Sequence, residues 1–232
     1  MSMMQDSSNK RPAGGRPAVQ SILTDIEGTT TSISFAVDVL FPLSHEKMED
    51  FVQANWDTVR SQFPSMQPAE VIATLRSWIQ ADKKETRLKS IQGKIWKTAF
   101  ESGKIKGHLY PDVAPAFRRW KNKGLRIAIY SSGSIEAQQL IFRFSTDGDL
   151  TKWIDDYFDT TTGPKREAGS YRSISEKLNL RAQEILFLSD VAAELNAAGQ
   201  AGMQTIQLLR ENAKPDGRHR TARSFAEILP EF

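Results

Sequence analysis

Four places in this 232-residue sequence set side chains that can do chemistry directly behind short apolar runs or turn residues. Asp25 and Glu27 follow the run from Val19, Ser131 and Ser132 follow Leu125 to Tyr130, and Lys165 follows Gly163-Pro164. Asp190 comes just after Ile185 to Leu188, with Glu194 four residues on. Carboxylates at two strand ends make an oxygen site for a hard divalent cation, most simply magnesium, which takes few protein ligands and keeps its water. Hydroxyls and an ammonium close by would hold phosphate oxygens, and a carboxylate beside the cation could attack phosphorus. The chain has no cysteine and only three histidines, His45, His108 and His219, far apart in sequence. Disulfides, thiolate zinc sites and a cysteine nucleophile are thereby excluded, and any metal has to sit on oxygen.

These residues need elements that bring them to one place. Val19 to Ile26, Leu125 to Tyr130, Tyr157 to Thr160, Ile185 to Leu188 and Thr205 to Leu209 read as short strands, the last of the chain being Thr205 to Leu209. Between them lie helical patterns: Val113, Ala116, Phe117 and Trp120; a helix beginning near Ser134; Tyr171, Ile174 and Leu178; Ala192 to Ala201; and a terminal helix from Ser224 to Leu229. Continuous apolar strands alternating with amphipathic helices predict an α/β fold, a doubly wound parallel sheet covered on both faces. In such a sheet ligands bind beyond the carboxyl ends of the strands, where all the residues named above stand. From about Phe35 to Gly107 the pattern is purely helical, with Met48, Phe51 and Val52, then Val71, Ile72, Leu75, Trp78 and Ile79, then Leu88, Ile91, Ile95 and Ala99 at helical spacing. This is a compact helical insert after the first strand.

Composition narrows the function classes. No apolar run is long enough to span a bilayer and the first twenty residues lack a secretory h-region, so a cytoplasmic protein without a membrane partner is expected. The net charge of +3 is concentrated in residues 1–18, where Lys10, Arg11 and Arg16 stand against Asp6 alone; the nearly neutral remainder gives no reason to expect a nucleic-acid partner. That Ser-, Gly- and Pro-rich segment has almost nothing to bury and is expected to be a disordered tail.

The motifs resemble a known family. Asp25-Ile26-Glu27-Gly28-Thr29 is similar to the first motif of the haloacid dehalogenase-type phosphatases, and Ser131, Lys165 and Asp190 match its second, third and fourth motifs in order. More narrowly, DIEGTTTSISF, YSSGS, FDT with GPK downstream, and FLSDV resemble the enolase-phosphatase E1 branch, from Val19 to the C-terminus. The resemblance implies a HAD-like Rossmannoid core over residues 19–34 and 108–232 and a helical cap over 35–107. It implies a phosphoric monoester hydrolase of methionine salvage that uses Mg2+. The reaction would convert 2,3-diketo-5-methylthiopentyl-1-phosphate to 1,2-dihydroxy-3-keto-5-methylthiopentene and phosphate.

Under the same resemblance Asp25 is the nucleophile and a metal ligand, and Asp190 the second metal carboxylate. Glu27, where the superfamily usually has Asp, protonates the leaving oxygen and then activates water, its place in the metal site being through the backbone carbonyl in relatives. Ser131 and Ser132 bind phosphate, and Lys165 binds it and neutralises charge as the nucleophile approaches. Glu194 reads equally as a partner of Asp190 and as a surface glutamate. In the insert, Phe51, Trp56, Trp78, Trp96 and Phe100 read mainly as core, with a minority lining a pocket for a thioether tail. Phe35 is a candidate beside the hinge, and Lys89, Lys94 and Lys97 read as a solvated face. A monomer is expected, since a capped site is complete in one chain.

Three other readings compete. A phosphatase for another small phosphomonoester would use the same residues. A phosphoaccepting receiver-like signalling module also combines Asp, hydroxyl, Lys and magnesium, but it carries its acidic pair on the first strand and its acceptor on a later one. A metal-free dehalogenase needs neither Glu27 nor Asp190. No residue is singled out as the base for enolisation.

Overall fold

The computed structural model describes residues 18–211 and 213–229; most of the expected N-terminal tail, residues 1–17, lies outside them. Six strands form one parallel sheet in the order β3-β2-β1-β4-β5-β6: β1 Ser21–Thr24, β2 Arg126–Tyr130, β3 Asp156–Phe158, β4 Ile185–Ser189, β5 Gln204–Leu208 and β6 Arg220–Ala222. The chain builds β2 and β3 to one side of β1 and β4 to β6 to the other, so the order reverses between β1 and β4. Thr24 is in register with Ile129 on one side and Leu188 on the other. The residues just past those positions therefore emerge side by side at the reversal point, the place where open α/β sheets bind ligands.

The alternation of side chains along each strand divides the core in two. Ile22, Ile127, Ile129, Leu186 and Leu188 face one layer with Phe117, Trp120, Phe142 and Phe225. Leu23, Ala128, Tyr130, Ile185 and Phe187 face the other with Tyr171, Ile174 and Leu195. The covering helices are α5 (Val113–Asn122), α6 (Ile135–Arg143), α7 (Ala168–Leu178) and α8 (Ala192–Gln200). Because both faces are covered, the central strands β1, β2 and β4 are largely apolar and buried, while the edge strands β3 and β6 carry polar residues.

Between β1 and α5 the chain is helical. A π-helical stretch, Phe35–Leu40, runs into α1 (Phe41–Ala54), followed by α2 (Trp56–Arg60), α3 (Pro68–Gln80) and α4 (Thr86–Glu101). These helices have a hydrophobic cluster of their own, including Met48, Val52, Val71, Leu75, Leu88 and Ile91. Helix α3 begins with Pro68 at its first position and a reciprocal pairing of Gln67 with Glu70, so its free N–H groups are satisfied locally.

Two expectations need correction at the C-terminus. Thr205–Leu209 is not the last strand: β6 adds an edge strand parallel to β5. Ser224–Leu229 forms no α-helix but a single 3-10 turn, Phe225–Glu227; the carbonyls of Phe225 and of the following Ile228 accept hydrogen bonds from Arg119, with Trp120 Nε1 also donating to Ile228. A turn anchored by tertiary bonds needs no helical period of its own. Among the described residues no helix is long and apolar enough to cross a membrane.

Candidate active site

Asp25 leaves β1 with its backbone N–H still bonded to the Leu188 carbonyl, so the sheet continues to hold it one residue beyond the strand. The residue is 3% exposed. Oδ1 accepts from the Ile26 amide at 2.8 Å and from Lys165 Nζ at 2.5 Å, and Oδ2 lies 3.4 Å from Ser189 Oγ. Lys165 is delivered by the turn after β3, where Gly163 has φ +145° and abuts Ser170; the Tyr171 hydroxyl then donates to the Lys165 carbonyl. Lys165 Nζ also pairs with Glu194 Oε2 at 2.8 Å. Burial alone would push the lysine pKa down, but the two carboxylates outweigh it and the ammonium is held above its ordinary range.

Glu194 is thereby resolved: it is no surface glutamate but is buried, takes a hydrogen bond from Ser189 and neutralises Lys165 jointly with Asp25. Burial first, and then the Asp25 charge, push its pKa up to about 7.

Asp190 emerges from β4 opposite Asp25. Its amide donates to Thr29 Oγ1 at 3.1 Å, and the same hydroxyl lies 3.5 Å from Oδ1. Gly28, at φ +74°, lets the carboxylate lean against the backbone of the first loop: a Cβ there would come within 2.6 Å of the carboxyl carbon. Burial, then the neighbouring Asp25, push the Asp190 pKa up to about 6. Asp190 does not cap α8: that helix starts at Ala192 with Val191 at its N-cap, and the Val191 amide donates to Ser189 Oγ.

Glu27 turns its carboxylate to Ser131, whose Oγ donates to Oε2 at 3.2 Å. Desolvation and then Asp25 raise its pKa, with Lys165 opposing. Among the described residues no group of three or more His, Asp or Glu side chains is gathered to hold an ion. Glu27 thus pairs with Ser131, while Asp25 and Asp190 are the carboxylates at the ends of the adjacent strands β1 and β4, near enough for the charge of one to raise the pKa of the other.

Ser131 is buried behind β2 and its Oγ also accepts from the Gly133 amide. The cap of α6 is Ser134, which accepts from Ala137, so Ser131 and Ser132 are free of that duty. Gln138, one turn into α6, donates to the carbonyls of Gly133 and Phe158 and locks this loop to β3; nothing in its local sequence marks it.

Glu27, Ser131 and Ser132 form the polar end of a cavity of about 80 Å3 between the sheet and the helical segment. Its apolar wall is Leu40, Phe41, Trp78, Ile79, Leu88 and Trp96, and Lys83, Lys84 and Lys89 stand along it. Two of the five insert aromatics therefore line the cavity, Trp78 and Trp96, while Phe100 is buried in the core of the sheet domain. Lys89 corrects the sequence reading: it is half-buried, faces the cavity and lies 3.5 Å from Thr160 Oγ1, and burial, followed by Lys84, lowers its pKa. Lys94 and Lys97 are exposed as expected. Phe35 is also corrected, since it is buried in the core beside His108, with ring centroids 6.2 Å apart, and does not line the cavity.

Residues 19–202 match the haloacid dehalogenase-like hydrolase family. A protein named enolase-phosphatase E1 from Sorangium cellulosum is 47% identical over 226 residues, which cover 91% of this chain and 97% of that one. Its namesake from Pseudomonas aeruginosa strain LESB58 is 48% identical, covering 92% and 99%. Among solved structures, the UTR4 protein of Saccharomyces cerevisiae superposes with a TM-score of 0.81 at 34% identity, covering 90% of this chain and all of that one.

Proposed function

The chain belongs to the haloacid dehalogenase-like hydrolases and within them to the enolase-phosphatase E1 group, and from that premise we propose that it converts 2,3-diketo-5-methylthiopentyl-1-phosphate to 1,2-dihydroxy-3-keto-5-methylthiopentene and phosphate in methionine salvage. The observation that carries the reading is the two-ended cavity, with Glu27, Ser131 and Ser132 at its polar end and an apolar wall that includes Trp78, Leu88 and Trp96; Ser131 Oγ bonds the Glu27 carboxylate there, two residues along the chain from Asp25. A small phosphomonoester with an apolar thioether tail matches both ends.

In this mechanism Asp25 Oδ2 attacks phosphorus in line and forms an aspartyl-phosphate while the P–O bond to the leaving group breaks. Ser131, Ser132 and the amides at the start of α6 hold phosphoryl oxygens. Lys165 holds Asp25 by its other oxygen and offsets the charge that gathers as carboxylate and phosphate meet. Glu27, kept protonated more readily than a solvated glutamate, gives its proton to the leaving oxygen and then takes one from the water that opens the aspartyl-phosphate.

The residues present fit a magnesium ion. Asp25 and Asp190 offer hard carboxylate oxygens at neighbouring strand ends, and burial followed by the Asp25 charge raises the Asp190 pKa with Lys165 opposing, so like charges lie close enough for a divalent cation to relieve. Asp25 and Asp190 would hold the ion, with Glu27 contributing by its backbone. Bound there, magnesium would stabilise charge on phosphoryl oxygen and on an enolate oxygen of the diketone. We assign residues 35–107 as the cap, and place the enzyme in the cytoplasm as a monomer, which light scattering of the purified protein checks.

A phosphatase panel with and without magnesium tests the assignment. The diketo phosphate should be turned over with the highest kcat/KM, and only when magnesium is present. A higher kcat/KM on sugar phosphates would favour a general phosphatase built on the same residues.

A further inference from the structure

Arg210 follows β5 and turns back beneath the loop after β1, where it is 9% exposed. Its Nη1 pairs with Asp112 Oδ2 at 2.9 Å and bonds the Arg223 carbonyl at 3.2 Å, and its plane lies 4.3 Å from the Tyr110 ring centroid and 5.1 Å from that of Phe225. Those contacts account for a buried cation that joins the C-terminal turn to the start of α5. They leave Nε, which donates to the Thr29 carbonyl at 3.1 Å, and Nη2, which is buried without a hydrogen-bond partner among the described residues.

Thr29 is the residue against which Asp190 is set. Its hydroxyl accepts the Asp190 amide, and Gly28 before it supplies the backbone on which the Asp190 carboxylate rests. The next carbonyl, Thr30, is also held, by the Tyr110 amide at 2.9 Å. A guanidinium presents Nε and Nη donors in one rigid plane, so its grip on Asp112 fixes where the Thr29 carbonyl can sit. Arg210 does not line the cavity and touches none of the reacting groups.

We propose that Arg210 is a positioning residue for Asp190, acting through the Thr29 peptide, and that it thereby sets the affinity of the site for its divalent cation. The inference rests on the metal reading above. Partners one shell removed from a metal typically change its affinity by ~10- to 100-fold when lost.

The test is calorimetric titration of magnesium chloride into the metal-stripped full-length protein, alongside thermal melts and p-nitrophenyl phosphate kinetics. Arg210→Lys keeps a cation for Asp112 but has no second donor in a fixed plane. It should fold and bind magnesium ~10- to 100-fold more weakly, with KM for the phosphate ester unchanged at saturating magnesium. Thr29→Val, which removes only the hydroxyl that receives the Asp190 amide, should move affinity the same way and decides the matter if the arginine variant does not fold. A folded Arg210→Lys or Thr29→Val protein with wild-type magnesium affinity would overturn the proposal, whatever its melting temperature. No magnesium binding by the wild type would overturn the metal reading, and the inference with it; the wild-type titration distinguishes the two failures.

Discussion

Lys165 Nζ is clamped between Asp25 Oδ1 at 2.5 Å and Glu194 Oε2 at 2.8 Å, with all three side chains buried. The second carboxylate keeps the ammonium from collapsing wholly onto the first. In the proposed mechanism Asp25 has to retain enough negative charge to attack phosphorus, and Glu194 would share the lysine that would otherwise neutralise it.

Glu194→Gln should therefore lower kcat with little change in KM. The expected loss is about tenfold to a hundredfold, the equivalent of one charge-assisted hydrogen bond of ~1.5–3 kcal/mol. Steady-state kinetics on p-nitrophenyl phosphate checks this, and a wild-type kcat would make Glu194 a packing residue.

Gly28→Ala places a Cβ against the Asp190 carboxyl carbon at a backbone φ of +74°. The side chain must swing away, so the magnesium concentration for half-maximal activity should rise at least tenfold, as for other groups that orient a ligand. Unchanged magnesium dependence in a folded variant would show that Asp190 tolerates displacement.

Lys89 and Trp78 face the cavity from the helical segment. Lys89→Met should raise KM for the diketo phosphate. Trp78→Ala should reduce the preference for the methylthio substrate over its desthio analogue, by no more than the ~10- to 200-fold that a small apolar group contributes. A preference that survives Trp78→Ala would move the tail to another wall.

His108 reports on the hinge. Its Nδ1 accepts the Ser32 amide at 3.2 Å and lies 3.0 Å from Thr31 Oγ1, and burial, opposed by Glu211, lowers its pKa below 6.5. The neutral ring is the one that fits, so its contribution to stability is present above pH 6.5 and is lost as pH falls through the depressed folded value. The melting temperature of the wild type minus that of His108→Gln should thus shrink from pH 7 toward pH 5. A difference that stays constant, or grows in acid, would contradict the assignment.

The residues of the candidate site at the strand ends were legible because a buried parallel strand announces itself as a continuous apolar run, and the first polar residues after it have one place to go. Asp25, Ser131 and Asp190 are all of this kind. What escaped depends on contacts distant in sequence. Arg210 reaches Thr29 across 181 positions, and β6, with the sequence Arg-Thr-Ala, has no apolar pattern and is a strand only because β5 pairs with it. Lys89 sits on a helix whose other lysines are solvated, so its charge alone gave no sign that its turn of α4 faces the cavity. Phe35 went the opposite way: at the first position of the π-helical stretch it is buried in the cluster of the sheet domain, a long-range packing its local sequence does not mark.

If one site performs both enolisation and dephosphorylation, the two steps are separable in time when near-ultraviolet absorbance and phosphate release are followed together, under anaerobic conditions, after mixing enzyme, magnesium and the diketo phosphate. An absorbing phosphorylated enol should appear first and decay as phosphate and the enediol product form. Phosphate released with no enol ever detected would contradict it.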